Sequence, residues 1–169
     1  KYDQGTLQLS PTPEIPGSNG WNMQWPRIFT WVHLKEKRTQ KSIYIYNTHF
    51  PLRPQERDLS AKQISSAIAE RKRKKSPVIL TGDFNACENE HSMKYLLGEH
   101  GSPIAMKDTF RLIHPNNNAG TFHAFGKTET CKIDYIYALG KIRVLDANII
   151  NESEPFASDH LAVTTILQF

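Results

Sequence analysis

The string Gly82-Asp83-Phe84-Asn85-Ala86 follows the apolar run Val78-Ile79-Leu80, and Ser158-Asp159-His160 precedes a second such run, Leu161-Ala162-Val163. Each string places carboxylate, amide or imidazole groups at the end of an expected buried strand, where chemistry is exposed on a rigid base. Carboxylate oxygens are hard donors that suit Mg²⁺ or Mn²⁺, and an imidazole titrating near neutrality can take a proton from water. Brought together, these groups could activate water against a tetrahedral anion such as a phosphate ester.

Two further strings carry the same residue types. In Lys132-Ile133-Asp134-Tyr135-Ile136-Tyr137 a carboxylate sits within an apolar strand pattern. Such an Asp is costly unless paired, and a hydrogen bond that orients a histidine would offset the cost; an edge-strand Asp facing water is the alternative. Asn47-Thr48-His49 ends another strand with an amide and an imidazole two apart, hence on one face. An imidazole aimed at a phosphate oxygen would stabilise developing charge. Asp83 and Asn85 are also two apart, so an extended backbone points both one way and Phe84 the other. An Asx turn after a strand also accounts for them.

The elements that must position these groups follow from periodicity. Residues 1–26 contain Pro11, Pro13, Pro16 and Pro26 and are expected to be mainly loop. Alternation over 27–34 and the run Ile43-Tyr44-Ile45-Tyr46 within 42–50 predict an antiparallel hairpin. Leu59, Ile64, Ala67 and Ile68 recur at helical spacing over 54–74, and Pro77 ends that helix. A short buried strand then delivers Gly82-Asp83, and 88–97 suits a second helix. The stretch 108–130, with Asn116-Asn117-Asn118 and Gly120, reads as loop, followed by strands over 132–138, 143–150 and 161–169.

The 169 residues fit a single domain or part of one, and a net charge of +4 with 22% charged residues describes a soluble, globular chain. No apolar stretch approaches the roughly 20 residues of a membrane helix, and the compartment is left open, a secreted or periplasmic location being compatible. The basic run Arg71-Lys72-Arg73-Lys74-Lys75 reads as a solvated helix end, with a polyanion as the alternative partner. Cys87 and Cys131 define neither a disulfide framework nor a zinc site. They are read as two unpaired, part-buried thiols, a bridge between them being the alternative.

Asn-Thr-His-Phe, Gly-Asp-Phe-Asn-Ala, Lys-Ile-Asp-Tyr-Ile and Ser-Asp-His occur in that order, and in this the chain resembles the endonuclease/exonuclease/phosphatase superfamily of deoxyribonuclease I-like proteins. The resemblance runs from about Arg27 to the last residue, and the segment from Trp21 to Trp31 fits a bacterial-type branch. It implies an α+β fold, a four-layer α/β/β/α sandwich, and a Mg²⁺- or Mn²⁺-dependent phosphohydrolase acting on nucleic acid, phospholipid or a small phosphate ester. By the same resemblance His160 is the general base, Asp134 holds its imidazole, Asp83 orients the attacking water and Asn85 holds the phosphate or that water. Asp159 lies at the metal, His49 contacts the phosphate or leaving group, and Arg27, Asn47 and His123 complete the set as substrate-binding candidates.

The family sandwich has two similar halves, and this chain corresponds mainly to the second. The first strands of the family, which carry an Asn and the Glu that is the principal metal ligand, have no match here; Glu14 lies in the Pro-rich loop. The expectation is an incomplete domain whose apolar sheet face is covered by an N-terminal segment or a second chain. A scaffold that has lost catalysis and binds nucleic acid or another polyanion is the rival reading.

Overall fold

The computed structural model describes residues 3–128, 130–150 and 155–169. Among the described residues eight strands and three helices follow in the order β1 (Asp3–Gln8), β2 (Ile28–Lys35), β3 (Ser42–His49), α1 (Pro54–Glu70), β4 (Val78–Asp83), α2 (His91–Leu96), β5 (Lys107–Asp108), α3 (Thr109–Ile113), β6 (Asp134–Leu139), β7 (Arg143–Ile150) and β8 (Ala162–Gln168). Six strands form one mixed sheet in the order β1-β2-β3-β4-β6-β5, and β7 pairs with β8 in a separate ribbon. The class is α+β, and none of the helices is long and apolar enough to cross a membrane.

Pairing follows connection length. The short turn after Lys35 joins β2 and β3 antiparallel, whereas β3 and β4 are parallel because α1 carries the chain back along the sheet. On the helix side of the sheet, Phe29, Tyr44, Tyr46, Val78, Leu80, Tyr135 and Tyr137 pack against Ala61, Ile64 and Ile68 of α1 and Met93 and Leu96 of α2. Burying residues of this size contributes about 1.5–3 kcal/mol for each large side chain. On the other side Ile43, Ile79 and Ala138 form a smaller cluster closed by Ile136, Ile142 and Leu167, the last from β8. Farther along that side Ile28 and Leu34 of β2 are exposed.

Three expectations from the sequence change. Within 1–26, residues 3–8 are a strand: β1 pairs with β2 from Asp3↔His33 to Gln8↔Ile28, an edge made by a distant partner. Within 108–130, α3 forms one short helix, capped by Asp108, whose Oδ1 accepts the Phe110 N–H at 2.9 Å. Cys87 and Cys131, read as free thiols, are joined in a disulfide, their Cα atoms 5.6 Å apart within the range such a bond requires.

Candidate active site

The parallel pair β3–β4 and the antiparallel pair β4–β6 place three polar residues on one rung. His49 is the register partner of Asp83, and Asp83 is the register partner of Asp134. Paired residues of neighbouring strands share a face, so the three side chains stand side by side at strand spacings of about 4.8 Å. His49 Nε2 lies 3.2 Å from Asp83 Oδ2. The alternate positions, Thr48, Gly82 and Tyr135, turn to the helix side. Gly82 is required there: a Cβ at this position would lie 2.0 Å from the Thr48 carbonyl oxygen.

His160 arrives from the segment before β8. An isolated bridge pairs it with Phe122, whose ring centroid is 5.0 Å from the imidazole. Its Nδ1 is 2.8 Å from Asp134 Oδ2. Thr121 fixes the beginning of β6 in turn, its Oγ1 accepting the backbone N–H groups of Ile133 at 2.9 Å and Asp134 at 3.1 Å. Ligand atoms of Asp83, Asp134 and His160 all fall within 4.8 Å of one another, a donor set that could hold one cation.

The electrostatics follow from crowding two carboxylates. Burial, reinforced by the nearby Asp134 charge, holds the Asp83 carboxyl above its ordinary range, against the opposing hydrogen bond from Asn85. Burial disfavours the charged form of His160. The hydrogen bond to Asp134 and the charges of Asp134, Asp83 and Asp159 outweigh it, and the imidazole titrates above its ordinary value. Burial and then the Arg27 charge push His49 the other way, below its ordinary value. The two imidazoles are thus separated: His160 favours the proton and His49 sheds it.

The remaining candidates divide. Asn85 does not continue the strand; with φ 49° it is left-handed, its N–H donates to Asp83 Oδ1 at 2.8 Å and its Nδ2 donates to Phe50 O at 2.9 Å. The Asx turn and a place beside Asp83 therefore coexist. Asp159 adjoins His160, and its carbonyl accepts the His123 and Ala124 N–H groups, but its carboxylate is outside the three-residue donor set. Arg27 precedes β2 at the same end of the sheet, its carbonyl accepting the Leu9 N–H at 2.7 Å. Asn47 is bound sideways, Nδ2 to Thr81 Oγ1 at 2.9 Å, one pleat before His49. The His123 Nδ1 accepts the Gly126 N–H at 3.1 Å, and its ring centroid lies 4.4 Å from that of Phe156.

Behind the rung lies a charged cluster that motif reading did not anticipate. The Lys132 ammonium, with the residue 2% exposed, is 2.6 Å from Asp108 Oδ2 and 3.3 Å from Glu88 Oε1. Arg111 grips Glu88 with two nitrogens at 2.6 and 2.7 Å. The sequence signal was slight, a lysine between Cys131 and Ile133 just before the β6 pattern, which demands a partner where it is buried.

Three residues of the basic run make local contacts away from the rung. Arg71 donates to the carbonyls of Ile68, Lys74 and Ser76, Lys74 reaches Ala69 O, and Lys72 pairs with Asp3. It closes the carboxyl end of α1, a helix that begins next to the rung and runs away from it.

A family model described as the endonuclease/exonuclease/phosphatase family matches residues 2–160. No curated protein matches significantly. Among solved structures, an endonuclease/exonuclease/phosphatase from Bacteroides vulgatus is 29% identical with a TM-score of 0.85, the match covering 99% of this chain and 65% of that one. A mannosyl-6-phosphatase from Bacteroides thetaiotaomicron is 27% identical with a TM-score of 0.83, covering 99% and 66%. The human nocturnin catalytic domain with bound sulfate, at 19% identity and TM-score 0.73 over 99% of this chain and 58% of that one, is alike in fold. The chain thus spans about 65% of the length of the bacterial structures it matches.

Proposed function

Because the chain belongs to the endonuclease/exonuclease/phosphatase family, we propose that it supplies the general-base half of a phosphate-ester hydrolase, in which an activated water attacks phosphorus in line. The observation that carries this reading is the 2.8 Å contact between His160 Nδ1 and Asp134 Oδ2, made beside Asp83 on one rung. With Nδ1–H donated to Asp134, Nε2 is the basic nitrogen of the neutral ring, and it takes the proton of the water as the oxygen attacks. Asp134 then steadies the imidazolium that forms.

Asp83 accepts a hydrogen bond from the same water and orients it. Asn85 is anchored through one amide hydrogen and offers the second to the water or phosphate. His49 and Arg27 face the phosphate and the leaving oxygen, where positive charge or a donor stabilises the transition state. The carboxylates fit a hard divalent cation: Asp83 and Asp134, with Asp159 beside His160, would hold Mg²⁺ or Mn²⁺. Such an ion neutralises phosphate charge and polarises the bond that breaks.

The six-stranded sheet with α1 and α2 then corresponds to one half of a four-layer α/β/β/α sandwich, and β7–β8 to part of the second sheet. Residues 1–169 would be the later part of that one domain. The face bearing Ile28 and Leu34 would be covered by an N-terminal segment or a second chain. As substrate, the similarity to a mannosyl-6-phosphatase favours a sugar phosphomonoester over a nucleic acid, and the basic run, spent on the far end of α1, adds no polyanion groove at the site.

The test is phosphate release by the full-length protein from mannose 6-phosphate, beside DNA, RNA and a phospholipid, with Mg²⁺ or Mn²⁺ and then EDTA. EDTA-sensitive hydrolysis is expected, strongest on the sugar phosphate. Binding of these compounds without hydrolysis of any would overturn the enzyme in favour of a binding scaffold.

A further inference from the structure

The catalytic groups proposed above come from two segments far apart in the sequence, the loop after β4 and the start of β6. The disulfide joins those segments: Cys87 is two residues beyond Asn85, and Cys131 is three before Asp134. We propose that the Cys87–Cys131 bridge is a positioning element of the site, holding the Asp83–Asn85 loop against the Asp134 strand so that turnover depends on its redox state. The inference rests on the hydrolase reading for its kinetic consequence and on geometry alone for its structural one.

Up to Asp83 the two segments are held by the β4–β6 ladder; beyond it the noncovalent ties are few and local. The Phe84 N–H donates to Ile133 O at 2.8 Å. The Tyr135 hydroxyl lies 2.9 Å from Ala86 O and 2.7 Å from Lys132 O and donates between them. Glu88, one residue past Cys87, meets Lys132, one residue past Cys131. On its other side the loop is held to α1, where Arg57 pairs with Glu90 and Glu90 Oε1 accepts the Cys87 N–H at 3.0 Å. Beyond Phe84, those contacts alone let the Asn85–Cys87 turn follow α1 independently of β6. The covalent link makes the loop move with β6, and it does so at the level of the backbone that sets the separation of Asn85 and Asp134.

Both cysteines are only half-buried, so a small dithiol can reach them. Reduction adds two electrons and two protons, breaks the S–S bond and leaves two thiols, while the dithiol closes to its own disulfide. The sheet ladders and both cores remain, since none of their members depends on the bridge. What changes is how tightly the loop is held, and a loosening on the scale of 1 Å at a catalytic group costs on the order of 100-fold in rate.

The experiment compares oxidised, dithiothreitol-reduced and reoxidised full-length protein below its melting temperature, by steady-state hydrolysis and by amide hydrogen exchange. Reduction is expected to lower kcat about 10-fold to 100-fold, with KM changed less than about threefold, and reoxidation to restore it. Exchange at the Phe84 and Asn85 amides should accelerate on reduction while Leu80 and Tyr137 stay protected. A Cys87→Ser/Cys131→Ser double variant should match the reduced protein and ignore the reductant. Unchanged exchange at Phe84 and Asn85 would overturn the brace, as would a kcat that does not respond to reduction in an active protein. An oxidised protein that hydrolyses nothing while those amides still loosen on reduction would overturn the hydrolase reading and leave the structural brace standing.

Discussion

Asp83 and Asp134 are direct partners across the β4–β6 ladder, two carboxylates on one rung with His160 bound to the second. Two part-buried like charges this close disfavour one another, and the sheet holds them together because its register leaves them no alternative. A cation or a proton relieves the conflict, as a hydrolytic site of the proposed kind would require.

The first prediction follows from that conflict. Because the Asp83 carboxyl titrates above its ordinary range, its ionised form is less favourable in the folded chain than in the unfolded one. The stability associated with its proton is full at low pH and is lost as pH rises past its unfolded value. Asp83→Asn, which keeps the acceptor for the Asn85 N–H, should therefore melt at the same temperature as the parent or higher at pH 7. Its kcat should fall by about 100-fold or more. Calorimetry and kinetics on the same sample check both halves.

For His160 the sign is opposite in its functional consequence. Its imidazole titrates high because Asp134, Asp83 and Asp159 surround it, and a general base works only when neutral, so activity should rise with pH through that value. In Asp134→Asn the charge is gone and any remaining hydrogen bond is no longer charge-assisted, so the acidic limb of the pH–rate profile should move to lower pH while the plateau drops. His160→Ala should lower the plateau by about 100-fold to 10,000-fold. An acidic limb unmoved by Asp134→Asn would show that another group sets it.

Gly82→Ala places a methyl against the Thr48 carbonyl, one pair before the end of the β3–β4 ladder. The backbone must separate there, at a cost of about 2–4 kcal/mol. Urea denaturation should show that loss with an unchanged slope, and kcat should fall with it because His49 and Asp83 sit one residue farther along both strands.

Lys132→Ala removes the only ammonium contacting Asp108 among the described residues and leaves a carboxylate buried without its charge partner. A loss of about 3–5 kcal/mol is expected. The double variant Lys132→Met/Asp108→Asn, which removes both charges, should recover a large part of it in thermal melts.

Much of this architecture was legible because it is local. The alternation around Ile28, Trp31 and Val32, the helical spacing of Ile64 and Ile68 and the apolar run at Val78 each encode their element within a few residues, and β2, β3, α1 and β4 follow. β1 was not legible, since Asp3 and Gly5 are depleted in strands, and the segment becomes one by pairing with β2, where Gly5 leaves room for the Trp31 indole. α3 is too short to show a period, and its sign is the Asp108 cap. The four motifs named the residues of the rung but not their geometry. For Asn85 the sequence left an extended strand and an Asx turn both open, and the turn forms, the Asn85 N–H donating to the Asp83 carboxylate two residues before it. The disulfide, the Lys132 cluster and the hydroxyl of Thr121 are matters of tertiary proximity, and no spacing announces them.

Pairing between β4 and β6 also sets a reading frame for chemistry. A single residue added to or deleted from the connection that leads into Asp134 would slide β6 by one place, presenting Ile133 or Tyr135 to Asp83 and burying the carboxylate among the aromatic rings on the helix side. Every side chain of the rung would survive such a change, and the rung would not. Segment length just upstream of this strand is therefore under as strict a constraint as the identity of the residues it delivers.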